Sequence, residues 1–239
     1  PGSNQHLQVH LNPQTSSDLA DHALLKHPVF AAAGYLALLL DWRQQCQQPL
    51  SLGRVELDRP LWFTDGPVQL QAVLDGERLT FHSRSTDQEG GPWQVHGRVN
   101  LPTDQPKQPL SLQSVHQPDG VDGDVSFASV QALYQGLPQL GLDYGPCYRP
   151  IQQLWADGEQ AEALLCRQDG APDRCLLDGC FQLVAAVLSQ RDDAAQLLLP
   201  VGLEALWMQR WPLPDQLFCR LRMRSVDAVA EADGKGHLL

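Results

Sequence analysis

The sequence has no long hydrophobic run. None of its apolar stretches reaches the roughly 20 residues that cross a bilayer, and the longest, residues 29–40, contains Gly34 and Tyr35. Positive charge is also scarce, with 17 Lys and Arg against 28 Asp and Glu and a net charge of −11. A general nucleic-acid-binding protein needs a basic face. We therefore expect neither a membrane nor a nucleic acid as partner.

Paired metal ligands and nucleotide-binding motifs are missing as well. No two of the six cysteines have C-x-x-C spacing, and several lie in apolar stretches, so we expect reduced, buried thiols in the cytoplasm rather than a zinc site. No G-x-G-x-x-G motif opens a helix, and no P-loop is present. We expect no metal and no nucleotide or flavin cofactor.

The first half contains one strongly apolar helix and several short alternating runs. Residues 31–42 predict a helix that is apolar nearly all round, which is typical of a helix wrapped by a sheet. The runs after it are separated by turns and predict an antiparallel meander. A buried helix followed by a wrapping antiparallel sheet is the hot-dog pattern. The runs are Leu52–Leu57, Pro60–Phe63, Val68–Leu74, Leu79–Ser83 and Trp93–Leu101.

The second half repeats this order. One helix is expected at the start of this half and another in its middle, and a pair of strands follows each helix. The pattern predicts an α+β protein with two tandem hot-dog units. The predicted helices are Ser126–Gly136 and Leu176–Ser189, and the strands are Ile151–Asp157, Gln160–Leu165, Leu203–Trp211 and Gln216–Met223.

Composition places the boundary between the two units. Residues 102–124 are rich in Pro, Gln, Asp and Gly, and we predict a linker at 111–125. The N-terminal unit then spans 1–110, of which residues 1–3 look like the remnant of a cleaved tag. The C-terminal unit spans 126–239. Its polar residues 225–236 leave few residues for closing strands, so we expect an incomplete second unit.

Four motifs in order carry a family resemblance. Asp21-His22, with Tyr35-Leu36 at the matching distance, resembles D-H-x-x-x-G-x-x-x-x-P followed by Tyr-Leu. The others are similar to Y-G-P-x-F, L-D-x-x-x-Q and L-P-V, at residues 144–148, 177–182 and 199–201. The sequence resembles, over residues 7–224, the dehydratase domain of modular type I polyketide synthases. It departs from the pattern at three places: Lys26 replaces the motif glycine, Ala31 the proline, and Asp173-Arg174 a His-Pro pair.

The resemblance implies a reaction and the residues that perform it. The reaction is removal of water from a (3R)-3-hydroxyacyl thioester, giving a trans-2-enoyl product. His22 is the implied base and Asp178 the implied acid, facing one tunnel from the two units. The predicted substrate-binding residues are Gln182, Tyr144, Gly145 and Ala32; Gln182 would orient the carboxyl or the hydroxyl, and the backbone N–H near Ala32 would polarise the thioester carbonyl.

The same resemblance implies the partners. The substrate would be carried on the phosphopantetheine arm of an acyl carrier protein, with no other cofactor. Further partners would be the other domains of a synthase and a second copy of the chain, in a cytoplasmic homodimer. Because the chain is acidic, docking of a carrier protein would need a local basic patch or an apolar contact, for which Arg149 and Arg174 are candidates.

The residue types suit this chemistry if Asp178 is protonated. Neutral histidine, with a pKa near ~6.5, is a suitable base for the proton at C2. An aspartic acid can donate a proton only if its pKa lies well above about 3.9. The apolar neighbours of Asp178 favour a raised pKa, while a nearby helix N-terminus opposes it. We expect burial to dominate.

Other interpretations of the same residues remain open at this point. A double-bond shift could use the same pair, with Ala31 re-aiming the acyl chain, and a non-catalytic scaffold that docks carrier proteins would account for Lys26, Ala31 and Arg174. A hot-dog thioesterase is a further alternative. His27 and His96 are interpreted as structural residues.

Overall fold

One buried helix, α2, organises the first half of the chain. The computed structural model describes residues 6–64, 66–87, 91–102, 127–190 and 197–223. The tag remnant, the linker at 111–125 and residues 224–239 lie outside these ranges, so the domain boundaries stay predictions. The elements of the first half are β1 His6–Leu11, α1 Ser17–Ala20, β2 His22–Leu24, β3 His27–Pro28, α2 Ala32–Gln45, β4 Ser51–Leu52, β5 Val55–Leu57, β6 Val68–Asp75, β7 Arg78–Ser85 and β8 Gln94–Asn100.

The second half is built around a longer helix, α4. It has buried residues along its whole length, and it packs against β11, β14 and α2. Among the described residues, no helix is long and apolar enough to cross a membrane. The elements of this half are α3 Phe127–Gly136, the 3-10 turn η1 Leu137–Leu140, β9 Leu142–Tyr144, the 3-10 turn η2 Pro146–Tyr148, β10 Ile151–Ala156, β11 Gln160–Cys166, α4 Asp173–Leu188, β12 Gly202–Leu203, β13 Leu206–Trp207 and β14 Gln216–Arg222.

The predicted meander forms the large sheet of the first half. Its antiparallel strands have the order β1-β6-β7-β8-β5-β12. Burial alternates along β6, where Val68, Leu70 and Ala72 are buried and the residues between them are half-buried, as expected for a sheet with one face on the core. The second half contributes a three-stranded sheet with the order β10-β11-β14.

Two predicted strands of the first half differ in the structure. Residues 60–63 form only an isolated bridge, between Trp62 and Val29. Proline has no N–H to donate to a ladder at Pro60, and the next residues hydrogen-bond to the lead-in of α2, where Phe30 N donates to Leu61 O at 2.9 Å. The run 52–57 divides into β4 and β5, which are separated by Gly53 and Arg54.

The prediction of a single strand at residues 203–211 is wrong, and the difference shows how the two halves of the chain are joined. This run forms two short strands rather than one: β12 extends the large sheet of the first half, and β13 forms a two-stranded sheet with β4. Gly202 and Leu203 in β12 pair with β5, and β13 pairs with β4. In the same way β9 joins β2 and β3 in a small three-stranded sheet. The two halves therefore share backbone hydrogen bonds at three places.

Gly97 lies where β8 passes closest to β5. A Cβ added there would lie 2.5 Å from the carbonyl oxygen of Glu56 and 3.3 Å from Cα of Leu57. Because backbone cannot retreat as a side chain can, we expect G97A to destabilise the protein by about 1–3 kcal/mol, measured by urea unfolding.

The matched control is G136A. Gly136 has a right-handed φ of −81°, and a Cβ there meets nothing within 4 Å. The control should be neutral or stabilising by about 0.4–1 kcal/mol, because alanine has fewer unfolded conformations. Equal stability of the two variants would contradict the close approach of the strands.

Candidate active site

His22 is fixed by a tight connection between β2 and α2. Val29 N donates to the His22 carbonyl at 3.0 Å, and the His22 ring nitrogen Nδ1 lies 3.0 Å from the Val29 carbonyl oxygen. A carbonyl oxygen only accepts, so this contact assigns the ring proton to Nδ1. In neutral His22 the other nitrogen, Nε2, is then unprotonated and free to act as a base.

Asp178 approaches His22 from the second half. It lies in the second turn of α4, is 4% exposed, and its Oδ1 is 3.8 Å from Nε2 of His22. Burial raises the pKa of the Asp178 carboxyl, while the charge of His22 and a hydrogen bond from Gln182 act in the opposite direction. The shift has the expected direction. The pair therefore combines a ring nitrogen able to accept a proton with a carboxyl whose pKa is raised by burial, the direction that a proton donor requires.

Gln182 holds the Asp178 carboxyl from one turn further along α4. Its Nε2 donates to Oδ2 of Asp178 and to the backbone oxygen of Tyr148, both at 3.0 Å. Its Oε1 accepts from the Tyr134 hydroxyl at 3.0 Å, and that hydroxyl accepts from Ile151 N at 3.3 Å. The Gln182 amide is thus engaged by the protein and orients the carboxyl, one of the two predicted roles; its contact with substrate stays a prediction.

Tyr134 is a site residue that the sequence did not reveal. It lies in α3, its hydroxyl joins two other elements, and burial raises the pKa of this phenol. No motif surrounds it, and its partner Gln182 is 48 residues away in the sequence, so spacing carried no signal.

Two tyrosine rings pack beside His22. The ring centroids of Tyr144 and Tyr148 lie 5.3 Å and 4.9 Å from that of His22. Tyr144 is placed there by the β2–β9 ladder, in which it is the direct partner of His22. Burial raises the pKa of both phenols well above the usual range, so both stay neutral. Among the described hydrogen bonds of Asp178, none comes from Tyr144, and the contact of Tyr144 with substrate stays a prediction.

Gly145 is required by its neighbour Asp21. Its N–H donates to the Asp21 carbonyl at 2.7 Å, and a Cβ there would lie 2.1 Å from the Asp21 carboxyl. The same carboxyl accepts from Cys147 N at 2.9 Å. Asp21 therefore fastens the segment 144–148 to the strand of His22. The predicted contact between Gly145 and substrate stays a prediction.

Ala32 is the first residue of α2. The N-cap residue is Ala31, which provides no side-chain cap, and N–H groups in the first turn have no partner within a helix. The N–H predicted to polarise the thioester therefore lies at a helix N-terminus, three residues beyond the carbonyl that holds His22. Its role stays a prediction. The competing His96 is a buried strand residue with bonds to Ser83 and Arg59, and His27 is exposed.

Two family models together match most of the chain. One, described as "Polyketide synthase dehydratase N-terminal domain", matches residues 113–238, and another, "Polyketide synthase dehydratase domain", matches residues 1–86. The chain belongs to the polyketide synthase dehydratase family. Dehydratases of this family act on hydroxyacyl intermediates and are lyases.

Known proteins agree with this assignment. "Polyketide synthase GfsE" of Streptomyces halstedii is 30% identical over 206 residues, which are 76% of this chain and 5% of that protein. "Prosolanapyrone synthase" of Alternaria solani is 26% identical over 230 residues, 80% of this chain and 8% of that protein. The dehydratase thus spans less than a tenth of the length of these relatives.

Solved dehydratase structures show the same double hot-dog fold. The dehydratase domain from the CurK module of the curacin polyketide synthase superposes with a TM-score of 0.74 at 20% identity, covering 94% of this chain and 84% of that one. Two variants of that domain are described as inactive, one with a histidine changed to phenylalanine and one with an aspartate changed to asparagine. Each superposes with a TM-score of 0.71 at 22% identity. The matches cover 82% of each variant chain and 93% and 94% of this one, respectively.

The structure explains each departure from the family pattern. Lys26 replaces the motif glycine at φ +67°, a left-handed conformation that glycine adopts most easily. Ala31 replaces the proline at φ −60°, which proline also adopts. Asp173 and Arg174 replace His-Pro, and both are engaged in ion pairs, with Arg167 and Asp18. The conformations at residues 26 and 31 are therefore ones that glycine and proline could also adopt.

The left-handed conformation of Lys26 predicts a stabilising substitution. K26G should raise the free energy of unfolding by about 1 kcal/mol, because glycine at positive φ avoids the clash of Cβ with the backbone. The measurement is denaturant unfolding.

The opposite change at Gly76 is the matched control for K26G. Gly76 has φ +61° and open space around a Cβ, so G76A should lose a similar amount by the same strain. A K26G protein no more stable than the parent would contradict a strained turn.

The raised pKa of Asp178 predicts a pH-dependent cost of burial. Above pH about 3.9 the unfolded chain releases this proton and the folded chain keeps it, so stability falls as pH rises. Relative to wild type, D178N should gain about 1.4 kcal/mol per pH unit until the folded-state pKa is reached. Urea unfolding across the acidic and neutral range measures this difference.

The control for D178N is D157N, for which the opposite sign is expected. Backbone hydrogen bonds from Glu159 and Gln160 lower the pKa of Asp157. The ionised Asp157 stabilises the folded protein above its ordinary pKa, and this stabilisation is lost as pH falls. The free energy of unfolding of D157N should therefore decrease relative to that of wild type as pH rises. Parallel curves for wild type and D178N would contradict a buried, protonated Asp178.

Proposed function

We propose that this dehydratase converts a (3R)-3-hydroxyacyl thioester on an acyl carrier protein into the trans-2-enoyl thioester, with His22 as base and Asp178 as acid. The observation that carries this proposal is the facing pair of groups, an unprotonated Nε2 of His22 and a buried carboxyl 3.8 Å away. The Val29 carbonyl keeps the ring proton of His22 on Nδ1, and burial raises the pKa of the Asp178 carboxyl.

The base step acts on the proton at C2. That proton is weakly acidic because the neighbouring thioester carbonyl stabilises the negative charge that develops when it leaves. Nε2 of His22 accepts it, and the contact of Nδ1–H with the Val29 carbonyl stabilises the imidazolium that forms. A backbone N–H at Ala32 would donate to the thioester oxygen at the same time.

The acid step acts on the hydroxyl at C3. The electron pair from the C2–H bond forms the C2–C3 double bond, and the C3–O bond breaks. Hydroxide is a poor leaving group, so the protonated Asp178 carboxyl donates a proton and water leaves. Gln182 holds Oδ2 of this carboxyl, which leaves Oδ1, the oxygen nearer His22, for the substrate. The His22 imidazolium then passes its proton to the Asp178 carboxylate, which restores the starting state.

The substrate site would be completed by the residues around the pair. Tyr144 and Gly145 lie on the strand and turn opposite His22, where their surfaces would contact the acyl chain. The phosphopantetheine arm would bring the substrate, with no resident cofactor. Among the described residues, no cluster of three His, Cys, Asp or Glu side chains suits a metal ion.

The partners follow from the same chemistry. The relatives named above are polyketide synthases many times longer than this chain, so we propose that it works beside other synthase domains, in a cytoplasmic homodimer that receives carrier proteins. Arg149 is a better docking candidate than Arg174. Arg149 is an exposed residue whose Nε donates to the Tyr144 carbonyl at 2.8 Å and whose guanidinium lies beside the Tyr134 ring, whereas the guanidinium of Arg174 is half-buried and paired with Asp18.

Neither alternative gains support from the residues that suggested it. A double-bond shift was suggested by Ala31, but its φ of −60° is one that proline also adopts. A scaffold without activity was suggested by Lys26, Ala31 and Arg174, yet the facing His22 and Asp178 keep their contacts. Dehydration is therefore the function that we propose.

The decisive experiment is mass spectrometry of a carrier-bound 3-hydroxyacyl substrate incubated with the protein in heavy water. Wild type should remove one water from each substrate. H22A should lose at least ~10²–10⁴-fold in turnover because the base is gone, and D178N should be similarly impaired while remaining folded. A labelled 3,4-alkene would instead reveal the double-bond shift.

The matched control is H27A. His27 is a histidine five residues from His22 in the sequence, but it is exposed, so this variant should keep wild-type turnover. Wild-type activity in H22A would reject its role as base, and survival of dehydration in D178N would assign the acid to another residue. A folded wild type that is inert with two substrate lengths would favour the scaffold.

A further inference from the structure

An ion pair joins the two segments that carry the proposed catalytic residues. Asp18 lies in α1, and Arg174 lies in the first turn of α4. Nε of Arg174 donates to Oδ2 of Asp18 at 2.6 Å, and Nη2 contacts the same oxygen. The two side chains are only 12% and 22% exposed, respectively. Because little water reaches them, their attraction is screened less than that of a surface pair.

Each residue of the ion pair precedes one of the two catalytic residues by the same number of positions. Asp18 precedes His22 by four residues, and Arg174 precedes Asp178 by four. Four residues of an α-helix rise about 6 Å, so Arg174 and Asp178 lie on one face of α4. The ion pair therefore closes α1 against α4 about one helical turn from the reacting groups.

No direct hydrogen bond between His22 and Asp178 fixes the distance between them. The 3.8 Å between Nε2 and Oδ1 is longer than a hydrogen bond. The strand pairing of β2 with β9 and the bonds of Asp21 fix His22 to the segment 144–148. The contact between Asp18 and Arg174 fixes α4 itself to the segment that leads into His22.

The two charges also balance each other within the site. Burial is the main cause of the raised pKa of the Tyr148 phenol and of the Cys175 thiol; on both groups Asp18 adds a raising effect and Arg174 a lowering one. An unpaired Arg174 would favour the carboxylate form of Asp178, one turn away, and an unpaired Asp18 would favour the protonated form. As a pair they leave that equilibrium to burial, the charge of His22 and the hydrogen bond from Gln182.

We propose that Asp18 and Arg174 are positioning residues of this dehydratase, whose ion pair holds α1 against the first turn of α4 and sets the separation of His22 and Asp178. This inference rests on the proposed function, because it assigns that separation a catalytic purpose. Neither residue touches the reacting atoms; both act through the elements that carry them.

The pH dependence of the site involves more groups than this pair. The titratable groups that face Asp178 come from five elements, and their protonation is coupled to that of Asp178. They are His22 in β2, Tyr134 in α3, Tyr144 in β9, Tyr148 in η2 and Cys180 in α4. The alkaline limb of the pH–activity profile therefore reports the acid function of this coupled set of groups.

The test compares D18N, R174Q and the double variant D18N/R174Q. The probe is a (3R)-3-hydroxyacyl thioester of N-acetylcysteamine, and kcat, KM and the pH profile are measured for each protein. Each single variant should lose roughly 10–100-fold in kcat through misplacement of the acid, with KM little changed. The alkaline limb should move to lower pH in D18N and to higher pH in R174Q. In the double variant, the alkaline limb of the pH–activity profile should lie near its wild-type position while kcat stays low.

The matched control is D173N. Asp173 begins the same helix and pairs with Arg167 at 2.8 Å, with side chains 20% and 18% exposed. That pair ties α4 to residues following β11 and to Leu213, not to the segment of His22. D173N should therefore lower the melting temperature while kcat and the alkaline limb stay at wild-type values.

D18E covers the case in which D18N or R174Q fails to fold. It keeps the charge and adds one methylene, so the limb should stay in place while kcat falls at least about fivefold through displacement. Folded D18E with wild-type kcat would overturn the proposal. Folded single variants whose kcat stays within about twofold of wild type, or whose limbs do not move in opposite directions, would overturn it as well.

A readout independent of activity separates this inference from the proposed function. Carbon-NMR titration of the Asp178 carboxyl should show the same opposite shifts in D18N and R174Q even if the probe is not turned over. Shifts without turnover by wild type would count against the proposed function alone. Turnover by wild type without such shifts in the variants would count against the positioning role alone.

Discussion

The short antiparallel pairing of β2 with β9 is the constraint on which the site depends. Three residue pairs form it, and His22 is the direct partner of Tyr144. This ladder brings a residue from the first half of the chain onto a segment that lies 122 positions later. The tyrosine rings, the bonds of Asp21 and the approach of α4 all require that register, because a slip of one residue would turn His22 to the opposite face of the strand.

Buried hydrogen bonds then orient the two facing groups, and burial raises the pKa of the carboxyl. The Val29 carbonyl selects the ring nitrogen of His22 that carries the proton. Gln182, itself held by Tyr134 and by the backbone of Tyr148, fixes one oxygen of Asp178. A buried carboxyl costs folding free energy at neutral pH, and the well-packed core around α2 and α4 offsets that cost. The site is thus an unfavourable local arrangement that the rest of the fold supports.

The departures from the family pattern occupy backbone conformations that the motif residues could also adopt, or make ion pairs. Lys26 adopts the left-handed conformation usual for the motif glycine, and Ala31 the φ usual for the proline. Asp173 and Arg174 gain ion pairs. A substitution in a motif is therefore better judged by the backbone conformation and partners at that position than by the residue type alone.

The sequence by itself determined the elements with a strong periodic pattern and pointed to the two facing residues of the candidate site. Alternation predicted β6, β7 and β8, apolar helical runs predicted α2 and α4, and the motifs identified His22 and Asp178. Only the tertiary structure decided the short strands, such as β2, β9 and β12, and the partners Tyr134, Asp18 and Arg174. Strands of two or three residues have too few positions for a periodic signal, and ion pairs or hydrogen bonds between residues far apart in the chain exist only after folding has brought their elements together.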